Sequence, residues 1–200
     1  MERGYRIKSK PSYQTLTWRD KAFAHVVMAK GAGGMAVLHL FQQMIPPQAL
    51  TVFYVRDNKQ DKDYATILNK VVGEDLRVFD SEMDALYSVY QMMSECRMGT
   101  QFYVAGTEGF IWSFCKLASL HDVQDREVMK ELCYSLARSV YCVHCKATTH
   151  DVTTNIVDCC GCGRHLFVRD HFSRHLGSYS GLMIDAENPG EIPEVLEIYP

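Results

Sequence analysis

No apolar run in this 200-residue chain is long enough to cross a bilayer. The strongest candidates, FAHVVMAK and the stretch ending at Met44, are broken by Gly, His or Lys well short of the roughly 20 residues a span requires. The opening residues MERGYRIKSK carry no apolar core of the kind a signal peptide needs. A cytoplasmic protein with no membrane segment is therefore expected. Positive charge is not in excess either. The formal net charge is −3, the pI is about 6.2, and no basic stripe is interleaved with aromatics. The chain thus offers no general attraction for nucleic acid. Neither an internal repeat nor a low-complexity linker divides it.

What is present is the composition of a soluble globular protein, 47% hydrophobic and 22% charged. Its eight cysteines suit a reducing compartment, where a C-x-x-C pair signals metal or redox chemistry more than a disulfide framework. Cys96, Cys115 and Cys133 are scattered, and the remaining five are clustered. Charge is uneven at the ends. The first 20 residues carry five Lys/Arg against two acids, and residues 185–200 carry five acids and no base. Both ends read as solvated: an N-terminal arm over 1–22 and an acidic tail over 185–200.

From Phe23 onward, short β-branched or aromatic runs alternate with longer helical ones. FAHVVMA, LTVFYVRD, LRVFD, QFYVAG and EVMKELCYS read as strands. Between them lie a helix stopped by Pro46 and Pro47, and a helix with Tyr64, Ile67, Leu68, Val71 and Val72 on one face. A third helix, opened by a capping-box-like Ser81 and Asp84, runs to about Arg97, and EGFIWSFCKLASL is a fourth. Such alternation predicts an α/β fold with a parallel sheet, since parallel strands need long crossovers. At residues 138–141 the apolar periodicity gives way to turn residues, threonines and cysteine pairs. The expected organisation is an α/β domain over 23–138 and a small four-cysteine domain over 139–184.

Cys142 and Cys145 are followed by Cys159 and Cys162. Each C-x-x-C forms a tight knuckle, and two knuckles close a tetrahedral thiolate site. Cys160 lies inside the second pair with its side chain expected to point away. A closed four-cysteine site around a short hairpin favours zinc of the zinc-ribbon type, and a mononuclear rubredoxin-like iron uses the same four ligands. Lys146, Arg164 and Arg169 stand close enough in sequence to offset the negative charge of a metal tetrathiolate. With no open coordination position, hydrolytic chemistry is not expected. His171 and His175 have helical H-x-x-x-H spacing but no completing carboxylate, and they read, like the other histidines, as core or solvated. The second candidate is the turn Gly31-Ala32-Gly33-Gly34 after the first strand. There, glycines between strand and helix let amides approach a phosphate, although the full G-x-G-x-x-G pattern is absent.

Two resemblances follow from these motifs. Residues 23–135 resemble the nucleotide-binding half of the ferredoxin–NADP reductase family, whose late strand ends in C-G-P-x-x-F/M; here the motif reads Ala105-Gly106-Thr107-Glu108-Gly109-Phe110. Gly106 and Phe110 match, while Ala105 and Thr107 replace the family's cysteine and proline. This resemblance implies NADPH or FMN binding at Gly31, Gly33, Gly34 and Gly106. Only about 22 residues precede the first strand, where that family carries a flavin-binding barrel, so a self-sufficient flavin reductase is not expected. The chain as a whole resembles the A-subunit family of bacterial dimethylamine monooxygenases. The resemblance rests on Ser9-Lys10-Pro11-Ser12-Tyr13, GTEGFIW at 106–112, YCVHC at 141–145, the run from Cys159 to Arg174, and the acidic residues at 185–191. It implies a multi-subunit enzyme that uses NADPH and O2 to convert dimethylamine to methylamine and formaldehyde. Its partners would be a haem oxygenase subunit and a flavin/iron–sulfur reductase subunit.

No haem motif, flavin domain or ferredoxin-type cysteine spacing stands in the chain itself. The expectation is an accessory, non-catalytic subunit in which the metal knuckle presents His165–Arg174 to a partner, with Phe167 and Phe172 as anchors. Two alternatives stay open: an electron-transfer or nucleotide-binding subunit of the same complex, and a free-standing regulatory zinc ribbon.

Overall fold

The computed structural model describes residues 9–57 and 62–200. They form two compact units, Tyr13–Tyr134 and Ser135–Pro200, the latter together with the residues up to Ser12. Residues 1–8 of the expected N-terminal arm lie outside the described part.

The first unit follows the βα alternation read from the sequence. Its elements are β1 (Ala24–Lys30), α1 (Gly33–Gln43), β2 (Ala49–Val55), α2 (Ala65–Val72), β3 (Leu76–Phe79), α3 (Glu82–Met93), β4 (Thr100–Gly106), α4 (Glu108–Ser119) and β5 (Val128–Leu132). All five strands are parallel, in the order β3-β2-β1-β4-β5. That order reverses direction between β1 and β4, which makes the C-terminal ends of these two strands the switch point of a doubly wound sheet. The central strands are apolar on both faces, and Val27, Met28, Ala29, Val52, Phe53, Tyr54, Tyr103 and Val104 are inaccessible. Such continuous runs are what a sheet covered on both sides requires. α1 packs with α2, and α3 with α4. The Ser81 hydroxyl accepts the Asp84 amide at 3.3 Å and starts α3. That helix stops at Met93, four residues before the expected end at Arg97. α2 also departs from the expected face. It buries Ala65 and Leu68 and leaves Ile67 and Val71 exposed, because this eight-residue helix at the β3 edge touches α1 and the sheet along a narrow strip.

The segment read as a solvated arm is anchored in its second half. Leu16 is inaccessible and Trp18 nearly so; both join the core formed by Val37, Leu40 and Phe41 of α1 with Tyr103 and Met129. The Gln14 amide donates to the Lys130 carbonyl at 2.9 Å, the Leu16 amide to Glu131 Oε2 at 2.7 Å, and Trp18 Nε1 to the Met44 carbonyl at 2.9 Å. The segment thereby covers the β4–β5 side of the sheet on the α1 face. Isolated Leu and Trp among polar residues carry no period, so their burial was not legible. A polar chain fixes the far end of the segment. The Arg19 amide donates to the Tyr103 hydroxyl at 3.0 Å, which lies 3.0 Å from His25 Nδ1, and His25 Nε2 lies 3.4 Å from Gln48 Oε1. Burial lowers the pKa of His25, so the neutral ring is the one built into this chain.

The second unit contains β6 (Arg138–Cys142), β7 (Thr148–Val152), β8 (Ile156–Asp158), β9 (His165–Ser173) and β10 (Ser178–Met183), in the order β7-β6-β10-β9-β8. β6–β7 and β8–β9 are antiparallel hairpins. β10 joins them, parallel to β6 and antiparallel to β9, so both hairpin tips emerge at one end of the sheet. Val140, Val152, Ile156, Leu166, Val168, Phe172 and Tyr179 make a small core. Phe172 is part of it, edge-on to Tyr179 at 4.9 Å, and so is not an available anchor. The acidic tail is also not wholly solvated. The Ile198 and Tyr199 amides donate to the Thr153 carbonyl at 3.0 and 2.8 Å, and the Leu196 amide donates to Asn155 Oδ1 at 2.7 Å. The Arg138 guanidinium is clamped between the Tyr179 and Tyr199 rings at 3.9 and 3.7 Å and pairs with Asp170 at 2.8 Å. Partial burial works against the Asp170 carboxylate, but Arg138 overrides it and holds the carboxyl below its usual range.

The anchoring of the N-terminal segment predicts that Leu16→Ala costs about 2–5 kcal/mol in urea unfolding of the α/β unit, as for a filled core site. A cost near zero would mean that the segment is solvated as the sequence suggested.

Candidate metal centre

Both hairpin tips are knuckles built to one pattern. In the first, the Cys142 amide donates to the Ala147 carbonyl at 2.8 Å and the Lys146 amide to the Cys142 carbonyl at 3.0 Å. In the second, the Cys159 amide donates to the Arg164 carbonyl and the Gly163 amide to the Cys159 carbonyl, each at 2.9 Å. The residue after each second cysteine is left-handed, Lys146 at φ 69° and Gly163 at φ 68°. The two halves therefore repeat backbone geometry as well as cysteine spacing. Gly161 is needed where the knuckles meet, since a Cβ there would lie 2.7 Å from Ala147 Cβ and 3.1 Å from Cys145 Sγ.

The sulfurs of Cys142, Cys145, Cys159 and Cys162 all lie within 4.8 Å of one another, with Cys142–Cys162 at 3.9 Å and Cys145–Cys159 at 3.4 Å. Four thiolates at ~2.3 Å from one ion in a tetrahedron are about 3.8 Å apart, so the set fits a zinc or iron tetrathiolate. Cys142 and Cys159 are buried, Cys145 is exposed and Cys162 half-buried. The backbone prepares the cluster for a cation. The Arg164 amide pulls Cys162 down to about 6. Burial opposes the Cys142 thiolate, but the Cys145 and His144 amides outweigh it and lower its pKa. At Cys145 the Ala147 amide favours the thiolate, yet the Cys159 sulfur beside it pushes the pKa up to about 12. Sulfurs this close cannot all ionise without a positive ion among them, and a bound cation would remove that conflict. Cys160 turns away: its amide donates to Thr149 Oγ1 at 3.2 Å and its thiol to the Thr148 carbonyl at 3.4 Å.

The expected cofactor glycines gather at the switch point of the parallel sheet, where packing accounts for them. A Cβ on Gly33 would stand 2.2 Å from the Ala105 carbonyl oxygen, one on Gly34 2.6 Å from Tyr64 Cβ, and one on Gly106 2.8 Å from the Phe110 ring. Gly31 has φ 52° and Gly106 φ 156°. Gly33 thus lets α1 approach the end of β4, Gly34 lets it approach Tyr64, and Gly106 makes room for the Phe110 ring. Sequence reasoning missed the charged groups around them. Lys30 pairs with Glu82 at 2.7 Å, and Arg56 pairs with Asp80 at 2.7 Å and Asp63 at 3.1 Å. At the first turn of α4 the buried Glu108 carboxylate accepts the Tyr13 hydroxyl at 2.6 Å, and Trp112 Nε1 donates to the same hydroxyl at 3.0 Å. Tyr13 and Glu108 both stand in the motifs that carry the family resemblance, but 95 residues separate them and no local pattern pairs them. His171 and His175 stay apart from the cysteine cluster: His171 is exposed on β9, and His175 lies in the turn beyond it.

A doubly wound α/β unit, joined in one chain to a four-cysteine ribbon, defines the class. The chain belongs to the dimethylamine monooxygenase subunit DmmA-like family, matching its N-terminal domain over residues 5–128 and its C-terminal domain over 139–182. This is the family that the motifs at Ser9–Tyr13 and Cys159–Arg174 implied. A relative, the heme-dependent oxidative N-demethylase delta subunit of Ectopseudomonas mendocina (strain ymp), is 31% identical over 111 residues, 56% of this chain and 63% of that protein. Similar solved structures include the ferredoxin reductase of carbazole 1,9a-dioxygenase, 13% identical with a TM-score of 0.41 over 56% of this chain and 33% of that one. An intact type IV self-sufficient cytochrome P450 monooxygenase is 15% identical, with a TM-score of 0.48 over 84% of this chain and 26% of that one. No helix among the described residues is long and apolar enough to cross a membrane.

The knuckle geometry predicts that Gly161→Ala weakens zinc binding at least about tenfold in competition with a chromophoric chelator, because one overlapping contact of 1–2 kcal/mol suffices for that change. Cys160→Ser should leave zinc affinity unchanged. Equal losses in Cys160→Ser and Cys159→Ser would contradict the assignment of ligands.

Proposed function

We propose that this chain is an accessory subunit of a multi-subunit dimethylamine monooxygenase, an NADPH- and O2-dependent enzyme that converts dimethylamine to methylamine and formaldehyde. Haem, flavin and iron–sulfur chemistry belong to partner subunits, and this chain organises or docks them through its C-terminal module. The observation that carries the reading is the state of the switch point. A dinucleotide there needs free cations and a free helix N-terminus for its phosphates. Here Lys30 and Arg56 are paired with the chain's own Glu82, Asp80 and Asp63, and the first turn of α4 holds the Glu108 carboxylate. The anionic partners are already supplied from within, which supports a scaffold in place of an NADPH or FMN site at Gly31, Gly33, Gly34 and Gly106.

Cys142, Cys145, Cys159 and Cys162 would hold zinc. A closed tetrathiolate ion supplies cross-linking, and structural sites of this kind contribute on the order of 10 kcal/mol of folding free energy. The chain's own part is to preset two knuckles and donate amides to the sulfurs. A second reading is favoured by the exposure of Cys145: an iron in the same site, with its solvent-facing sulfur as an electron port.

Calorimetric titration of the full chain with NADPH and with FMN is expected to give no heat of binding at millimolar ligand. Saturable binding of either would overturn the scaffold reading. Metal analysis with an optical spectrum is expected to show one zinc per chain and no visible bands, whereas charge-transfer bands of ferric tetrathiolate would establish the iron reading. Cys159→Ser should lose the metal, unfold the C-terminal unit and abolish co-purification with the other subunits, while the α/β unit stays folded. Assembly unchanged in the metal-free variant would contradict the docking role.

A further inference from the structure

Resting on the docking role just proposed, we infer that the solvent face of β9 is the docking surface, and that it receives an acidic patch on a partner subunit. The strand alternates strictly. Leu166, Val168 and Phe172 point into the core and Asp170 meets Arg138 on that side, so Phe167, Arg169 and His171 project outward and are exposed. The register extends this face across neighbouring strands. Leu182 of β10 and the buried Ile156 of β8 stand directly opposite Phe167 on its two sides, and Tyr141 of β6 opposite Ser180. An exposed Phe next to a half-buried Leu makes an apolar centre, and Arg169, His165 and His171 flank it along the strand. Lys146 closes the knuckle end, its Nζ lying 5.8 Å above the Tyr141 ring. Asp158, the carboxylate that the register places beside His165, is paired with that histidine, and no acid among the described residues pairs with Arg169.

An apolar aromatic centre flanked by Arg169 and Lys146 has the composition of a protein–protein hot spot, and these two cations select a partner surface rich in Asp and Glu. The contrast with the first unit supports this. At the switch point every cation named is neutralised by an acid of the same chain, whereas on β9 Arg169 projects without one. On a chain of net charge −3, the exposed Arg169 orients an acidic protein partner but gives little general attraction to a polyanion such as nucleic acid. Metal binding serves the surface directly, since β9 starts at His165, three residues after the last cysteine of the cluster.

The test immobilises the full metal-loaded chain and passes over it the haem and flavin/iron–sulfur subunits of the same oxygenase, at low and high salt. One of them should bind, more weakly at high salt. Arg169→Glu and Phe167→Ala should each weaken binding about tenfold, the loss usual for a central contact residue, with metal content and circular dichroism unchanged. If the wild-type chain binds and both variants bind equally well, the docking role stands and this face is not its surface. If neither subunit binds the wild-type chain, the docking role fails and this inference fails with it. An oligothymidylate that binds the wild-type chain and not Arg169→Glu would reassign the face to single-stranded nucleic acid.

Discussion

Four cysteine sulfurs gathered within 4.8 Å cannot all carry charge unless a cation sits among them, and the C-terminal unit is organised around that constraint. β6–β7 and β8–β9 are two-stranded hairpins, which are marginal by themselves. β10 and the cysteine cluster tie them together, one along the sheet and the other at its end, and Arg138 of β6 reaches Asp170 of β9 at 2.8 Å. β10 brings the tips to the same side through its parallel pairing with β6 and its antiparallel pairing with β9, and a Cβ on its Gly181 would lie 2.7 Å from Val140 and 3.0 Å from Leu166. Amides aimed at Cys142 and Cys162 then favour the thiolate form that a metal requires. The far end of the sheet is held differently, by Arg138 clamped between Tyr179 and Tyr199 and paired with Asp170.

The α/β unit obeys a separate economy of charge. A parallel sheet with its order reversing between β1 and β4 creates a crevice by topology alone, whatever its residues do. At that edge Lys30 pairs with Glu82 and Arg56 with Asp80 and Asp63, and the Glu108 carboxylate accepts the Tyr13 hydroxyl. Fold by itself does not fix function.

Much of this was legible in the sequence because it is periodic or local. The runs FAHVVMA at 23–29 and QFYVAG at 101–106 read as strands of a parallel sheet, and the spacing of Cys142, Cys145, Cys159 and Cys162 read as paired knuckles. What escaped was aperiodic or long-range. Leu16 and Trp18 lie in a polar stretch and gain their burial from α1 and β5; Tyr199 gains its place from Arg138, some 60 residues earlier. Phe172 and Phe167 are both aromatic within one motif, and only strand alternation sends the first into the core and the second to solvent. The glycines at Gly31–Gly34 looked like a phosphate turn because close approach to a ligand and close approach to a neighbouring carbonyl demand the same residue. In this fold the neighbour is Ala105.

X-ray absorption at the metal edge of the purified full-length chain tests the central claim most directly. One ion per chain is expected, with a shell of four sulfurs at ~2.3 Å and no nitrogen or oxygen ligand, lost in full when Cys159 is replaced by Ser. A shell containing oxygen or nitrogen, fewer than four sulfurs, or a protein that folds its C-terminal unit without binding any ion would contradict it.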